Sequence, residues 1–330
     1  MAGFAGPLSF FLDEEGTLRQ RLPRPMLEEV LRSGRGPLWV DIDSTRDEEF
    51  ALLSDLFGFH PLAVEDTRSP DCRIKIEEYE GYLFIVVRGI RFAVETPEPY
   101  DIDTRNLYLF LGPQYLVSVH AGPSRSTETV AERLEVAPEL LGRGLDHLTH
   151  LILDTLVDFY FPLLDQIDDF VDELEDRIFA GDDGELMQSI FDLKRTLLSL
   201  RRHLAPMREV AGTLANRPSP YLRPEVQVYF RDVYDHVVRQ LESVETFREL
   251  VTGALELNLS VVSNRTNEVI KVLSIIATVV LPPTLVASVY GMNFEWMPGL
   301  HHPRGFWLAM AMMGVISAAF LVYLWRKDWL

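Results

Sequence analysis

The chain has 330 residues, with 31 Lys and Arg against 50 Asp and Glu and a net charge of −19 at pH 7. Such acidity argues against nucleic acid or an anionic membrane surface as a partner, and it raises the local concentration of cations. Cys72 is the single cysteine, so no intrachain disulfide forms, as expected of a protein kept in a reducing compartment.

Residues 1–122 read as a mixed α/β domain. No signal peptide is expected, because MAGFAGPLSFFLDEEG has no basic lead and too short an apolar run. Strand-forming runs occur at Pro37-Leu38-Trp39-Val40, at Tyr82-Leu83-Phe84-Ile85-Val86-Val87, at Leu107-Tyr108-Leu109-Phe110 and at Tyr115-Leu116-Val117-Ser118-Val119, punctuated by Gly and Pro. A helix is expected over about residues 46–57.

Residues 123–223 read as a helical hairpin region. Residues 148–179 and 185–214 carry apolar positions three and four apart, and Gly181-Asp182-Asp183-Gly184 between them reads as a helix-helix turn. After the breaker Asn216-Arg217-Pro218-Ser219-Pro220, no proline occurs from 225 to 281. One helix over 224–292 would be roughly 100 Å long at about 1.5 Å per residue. It would contain a first transmembrane span at about 272–291. An external loop at 293–305, a second span at 306–325 and a basic tail at 326–330 complete the chain.

The spans rest on charge and length. No charged residue occurs between Val272 and Val289 or between Phe306 and Trp325, and a spanning helix needs roughly 20 apolar residues. Arg265 and Lys271 precede the first span, and Arg326 and Lys327 follow the second. The positive-inside bias therefore puts both termini in the cytoplasm of a multi-pass protein of the inner or plasma membrane, with the lipid bilayer as a partner.

Alternate steps of four and three from Glu256 reach Ser260, Ser263, Asn267, Ile270, Ser274, Ala277, Leu281, Thr284 and Ser288. This narrow stripe of mostly small or polar residues has a period near 3.5, at which one helix face keeps meeting a common axis. Hydroxyls and amides within lipid face protein or water. Two spans per chain cannot enclose a pore, so a path along this face requires several copies; close helix packing through small residues is the other reading of the stripe.

The segments Asn264-Arg265-Thr266-Asn267-Glu268-Val269-Ile270-Lys271-Val272-Leu273, IIATVVLPPT and YGMNFEWMP, with a basic terminus ending Trp329-Leu330, resemble the CorA magnesium/cobalt transporters. The likeness extends to Tyr229-Phe230-Arg231-Asp232-Val233-Tyr234-Asp235-His236 and to His60-Pro61-Leu62-Ala63-Val64-Glu65-Asp66, and so covers most of the chain from about residue 37. The resemblance implies a funnel-shaped homopentamer of α+β class. In it an α/β cytoplasmic domain sits on a long helical stalk that continues into two C-terminal spans. It implies a passive channel for Mg²⁺, and for Co²⁺ and Ni²⁺, and no enzyme.

The resemblance further makes Gly291, Met292 and Asn293 the selectivity filter, with Glu295 in the external loop. A ring of neutral amide oxygens suits Mg²⁺, which sheds water reluctantly and binds oxygen ligands octahedrally. Gly291 is expected to make the tight turn out of the helix. The ion path then runs along Glu256, Asn267, Ile270, Leu273, Ser274, Ala277, Leu281, Thr284 and Ser288, with Ile270, Leu273 and Leu281 as the apolar constriction. Regulatory Mg²⁺ is implied between subunits, at Asp66 of one and Asp232 of the next, with Glu65 and Asp154 close by.

The chain departs from the family pattern at Gly299, where a second loop acid is common, at Glu256, where an Asp is expected, and at Pro282-Pro283, where one proline is usual. His301 and His302 are unexpected in the loop and read as solvated side chains or as soft-metal ligands. The zinc-transporting branch of the superfamily is an alternative, but its loop typically lacks the Asn-Phe-Glu-Trp-Met-Pro run kept here. Asp41-Ile42-Asp43-Ser44-Thr45 after Leu38-Trp39-Val40 also matches the DxDxT pattern of haloacid-dehalogenase-type phosphatases, whose first Asp is the nucleophile. The Lys and acidic partners that such an enzyme needs are not evident.

Overall fold

The computed structural model describes residues 7–69, 72–92, 102–180, 186–293, 295, 297–298 and 302–327. The chain opens with strands β1 (Leu8–Leu12) and β2 (Leu18–Gln20), helix α1 (Arg24–Ser33) and strand β3 (Leu38–Asp43). Short helices α2 (Asp47–Phe50), α3 (Leu52–Asp55) and α4 (Pro61–Asp66) lead to β4 (Lys75–Tyr79), β5 (Tyr82–Phe92), β6 (Ile102–Leu111) and β7 (Tyr115–His120). Helices α5 (Arg125–Val136), α6 (Glu139–Gly142), α7 (Leu145–Asp158), α8 (Phe161–Ala180), α9 (Leu186–Asn216), α10 (Pro224–Tyr290) and α11 (Gly305–Arg326) follow.

The seven strands form one sheet in the order β2-β1-β3-β7-β6-β5-β4. Among the described strands only β3 and β7 pair in parallel, with Val40 opposite Val117 and Asp41 opposite Ser118. Because side chains alternate across a strand, Leu38, Val40 and Ile42 enter a core with Leu52, Phe59, Phe84 and Phe110. Trp39 and Asp41 occupy the opposite face, where Trp39 is fully buried and stacks on Phe10 at 5.1 Å. Burial of each such side chain contributes roughly 1.5 to 3 kcal/mol before entropy is counted.

The strands expected from apolar runs are all present. β1, β2 and β4 were not legible in that way, since β4 reads Lys-Ile-Glu-Glu-Tyr and none of its residues is buried. The helix expected over 46–57 is two turns, α2 and α3, joined through Ala51 in right-handed helical conformation and stopped before Gly58 at φ 63°. The run at 148–179 is likewise two helices. Pro162 is tolerated only in a first turn, so the chain restarts after Phe159 and Tyr160. The Tyr160 hydroxyl donates to the Arg88 carbonyl at 2.6 Å. The turn expected at Gly181-Asp182-Asp183-Gly184 lies outside the described residues.

Two units divide the chain. One contains the sheet, α1 to α7, most of α8, α9 and α10 as far as Ala254, so it runs on across residue 123; the other begins at Leu255 and takes in the end of α8 from Ile178.

Candidate ion path and metal centre

Helix α10 starts with Pro224 and meets no further proline until Pro282. In its first part Phe230, Val233, Val237, Gln240, Val244 and Phe247 are buried, at alternating steps of three and four. Gln240, fully buried on this seam, donates to the Val157 carbonyl at 2.8 Å. Carried forward, the seam passes Val251 and Ala254, whereas the stripe that begins at Glu256 runs two residues out of phase. At about 100° per residue that is about 200° around the helix, so the stripe lies on the face opposite the seam. Glu256, Asn267, Ile270, Leu273, Ala277, Leu281, Thr284 and Ser288 are exposed and Ser274 is half-buried.

Followed in the other direction, the stripe meets exposed Glu249, Glu242 and Asp235, each seven residues from the next. This acidic ladder was not recognised in the sequence, although its heptad spacing from Glu256 was there to be read.

The far part of α10 is 67% exposed at Leu281 and 63% at Leu285, and α11 is 72% exposed at Trp307. Both helices are long and apolar enough to cross a bilayer, and at most 6% of either apolar window is buried. Core helices would be covered by the chain itself; these require lipid or other copies. The Ser317 hydroxyl of α11 donates to the Val279 carbonyl of α10 at 3.4 Å, which sets Val279 off the exposed stripe. Within α10, the Thr278 hydroxyl returns to the Ser274 carbonyl at 2.7 Å and that of Thr284 to the Val280 carbonyl at 2.8 Å. Pro282 and Pro283 do not end the helix.

At its end, Gly291 N–H donates to the Ala287 carbonyl at 2.9 Å and Met292 N–H to that of Val289 at 3.3 Å, and exposed Asn293 follows. Gly291 stands in the turn that leaves the helix, and it does so without entering the left-handed region. It contributes space instead, because an added Cβ would sit 3.1 Å from the Ala287 carbonyl oxygen. Glu295 is exposed, and His302 Nδ1 accepts the Arg304 N–H at 3.2 Å just before α11. Phe294, Trp296, Gly299, His301, Trp329 and Leu330 lie outside the described residues.

The expected regulatory acids fall into two groups within one chain. Asp154 of α7 and Asp232 of α10 come together, and with His236 they offer ligand atoms within 4.8 Å of one another. His236 was not among the expected ligands; its signal was the i, i+4 spacing from Asp232 on one helix face. Asp158 Oδ1 also lies 3.5 Å from His236 Nδ1. One oxygen of Asp154 is buried without a partner. Burial, reinforced by the negative charge of Asp158, pushes the Asp154 carboxyl upward, and a cation placed here would oppose both effects. Burial, helped by His147, holds His150 down to about 4, and its ring lies 5.4 Å from Tyr229. Glu65 and Asp66 stand apart at the end of α4, where Glu65 is exposed and Asp66 pairs with Lys75 Nζ at 2.8 Å. Two carboxylates and an imidazole suit a divalent cation, the imidazole favouring Co²⁺ or Ni²⁺ and the oxygens Mg²⁺.

The DxDxT segment does not form a phosphatase site. Asp41 is 6% exposed, accepts from the Ser118 hydroxyl and lies 3.0 Å from His120 Nε2. Asp43 accepts from Thr45 and from the Gly122 N–H at 3.0 Å. A nucleophile so enclosed cannot meet a phosphate ester, and both acids serve to join the ends of β3 and β7.

An α/β unit and two helices with uncovered apolar lengths, α10 and α11, define a two-span integral membrane protein. The chain belongs to the family described as CorA-like Mg²⁺ transporter protein, whose model matches residues 34–327. It is 37% identical over 308 residues to the cobalt/magnesium transport protein CorA of Thermotoga maritima, covering 92% of this chain and 87% of that one. It is 34% identical to the putative metal ion transporter YfjQ of Bacillus subtilis, covering 95% and 96% respectively. The complete CorA magnesium transporter of Methanocaldococcus jannaschii superposes with a TM-score of 0.85 at 25% identity, over 98% of this chain and 99% of the other. The ZntB cytoplasmic domain of Vibrio parahaemolyticus, 15% identical with a TM-score of 0.61 over 79% of this chain and 99% of the other, shares the fold alone.

Proposed function

We propose that the chain is a passive divalent-cation channel that admits Mg²⁺, and also Co²⁺ and Ni²⁺, to the cytoplasm through a homopentameric pore. The observation that carries this reading is the exposed stripe of α10 on the face opposite the helix's buried seam. In five copies around one axis, Asn293 would form the outer ring and Gly291 and Met292 its support. Thr284, Leu281, Asn267 and Glu256 would follow inward, and Glu249, Glu242 and Asp235 would draw the emerging cation onward. The spans are about 272–291 and 306–325, with both termini cytoplasmic, as the flanking basic residues support.

Regulatory Mg²⁺ would bind where Asp66 and Glu65 of one subunit approach Asp154 and Asp232 of the next, relieving carboxylate repulsion of roughly 4 kcal/mol for a pair at about 4 Å and a dielectric near 20, before relaxation. The retained Asn293-Phe294-Glu295-Trp296-Met297-Pro298 run supports Mg²⁺ over Zn²⁺ as the cargo. Ion uptake by proteoliposomes containing the purified chain, compared for Mg²⁺, Co²⁺, Ni²⁺ and Zn²⁺, tests the proposal. Saturable Mg²⁺ influx driven by a negative interior supports it, and flux of Zn²⁺ alone overturns the ion assignment.

A further inference from the structure

A cavity of about 430 Å³ opens beside the α/β sheet, beyond the carboxyl end of β7 and at the start of α5. Ligand cavities typically span about 300 to 1,000 Å³. In open α/β sheets the crevice beyond the carboxyl ends of parallel strands is the recurrent ligand position, and β7 and β3 are the parallel pair of this sheet. One wall is apolar, from Ile90, Leu107, Leu156, Phe159 and Leu163. Gly89 enlarges it: an added Cβ would meet Leu156 Cδ1 at 3.6 Å, an ordinary contact, so the strand leaves room where another residue would have put a side chain.

The other wall is polar and includes Ser124, Ser126, Arg105 and Arg125. Ser124 precedes α5 in extended conformation and its side chain does not cap the helix, so the first-turn N–H groups have no cap from that side chain, and Ser124, Arg125 and Ser126 all line the cavity. The Arg125 guanidinium lies 4.3 Å from the centre of the Phe159 ring, at the junction of the two walls. Arg105 is anchored by the Ala121 carbonyl at 2.8 Å and by Asp103 at 3.4 Å. Asp103 and Glu128 are the acids of the lining. Asp103 lies against Arg105 and Glu128 one turn along α5 from Arg125, so Arg105, Arg125 and the start of α5 are the donors of this wall.

We propose that this cavity binds a small amphipathic anion, with a carboxylate or phosphate head at the α5 N-terminus between Arg105 and Arg125 and an apolar body against Leu156, Phe159 and Leu163. The site lies wholly within the α/β unit and is independent of the transport reading. His120, at the end of β7, lines the same space and is held by Asp41, so it adds positive charge when protonated.

The test is titration calorimetry of the full chain in lipid nanodiscs with phenylbutyrate, phenylbutyl phosphate and the uncharged phenylbutanol. Saturable binding of at least one anion is expected, with the alcohol weaker by about tenfold or more and Arg105→Gln weakening the anion by a similar factor. The tighter of the two anions identifies the head group. Gly89→Leu, which fills the apolar end, should remove binding while circular dichroism stays unchanged. If Gly89→Leu does not fold, the Arg105→Gln comparison decides alone. No saturable binding by either anion, equal affinity for the alcohol, or binding indifferent to Arg105→Gln overturns the proposal.

Discussion

The hydroxyl of Ser317 reaches the carbonyl oxygen of Val279 across the two apolar helices, and that carbonyl is the one Pro283 leaves without its helical donor. An α-helical N–H bonds to the carbonyl four residues back, and Pro283 has none to offer. In hydrocarbon an unpaired carbonyl is costly, so the second helix supplies what the proline removes. Ser317→Ala should cost about 1 to 2 kcal/mol in the parent chain and almost nothing in a Pro283→Ala background, where the amide is restored. A double-mutant cycle of unfolding in bilayer-like micelles measures the coupling; equal losses in both backgrounds would refute it.

Asn293→Ala should abolish Mg²⁺ uptake without altering oligomer size on gel filtration. Cysteine at Ala277 or Thr284 should react with a water-soluble thiol reagent and block flux. Cysteine at Val279, which is off the stripe, should stay unreactive. Ser274, half-buried in the single chain, should respond more slowly than Thr284. Comparable labelling of Val279 and Thr284 would be incompatible with the proposed path.

Glu242→Gln combined with Glu249→Gln should lower the initial rate of Mg²⁺ uptake several-fold at low ionic strength and far less at high salt, because exposed charges act through a screened field. The uptake rate as a function of salt is the measurement. A salt-independent loss would mean that these acids act structurally.

Asp232→Ala should reduce the protection from proteolysis that millimolar Mg²⁺ gives the wild-type chain, as should Asp66→Ala. His236→Ala should affect protection by Co²⁺ more than by Mg²⁺, since an imidazole discriminates between these ions and a carboxylate does so less. Protease sensitivity that is the same in chelator and in saturating Mg²⁺ would remove the regulatory role altogether.

Burial by itself would depress His120, but the Asp41 charge, its hydrogen bond and the Gly122 carbonyl outweigh burial and raise its pKa above the ordinary 6.5. The native state therefore holds this proton more tightly than the unfolded one. The stabilisation is complete below about pH 6.5 and is lost as pH rises through the higher native value. Denaturant titrations from about pH 6 to 9 should show this decline, and His120→Asn should flatten it. An unchanged slope in that variant would assign the decline to other groups.

The membrane spans, the unbroken α10 and the small-polar stripe were legible because hydropathy and helical period are local properties of consecutive residues. Strands such as Leu38-Trp39-Val40 showed themselves for the same reason, whereas β4, an exposed edge rich in charge, carried no such signal. The stop after Asp158 is signalled in the sequence by Pro162, which the apolar spacing around it obscures. What the stripe faces was a different matter. Period 3.5 defines a face of α10 but not its surroundings, and only packing placed the seam of Phe230 and Val237 on the opposite side and Val279 against Ser317. Asp154 meets His236 across 82 positions of sequence because α7 and α10 lie side by side. Asp41 was diverted from a nucleophile's role to a buried partner of Ser118 and His120 by parallel pairing of β3 with β7. Spacing along a chain fixes which residues share a face, and tertiary contact alone fixes what that face meets.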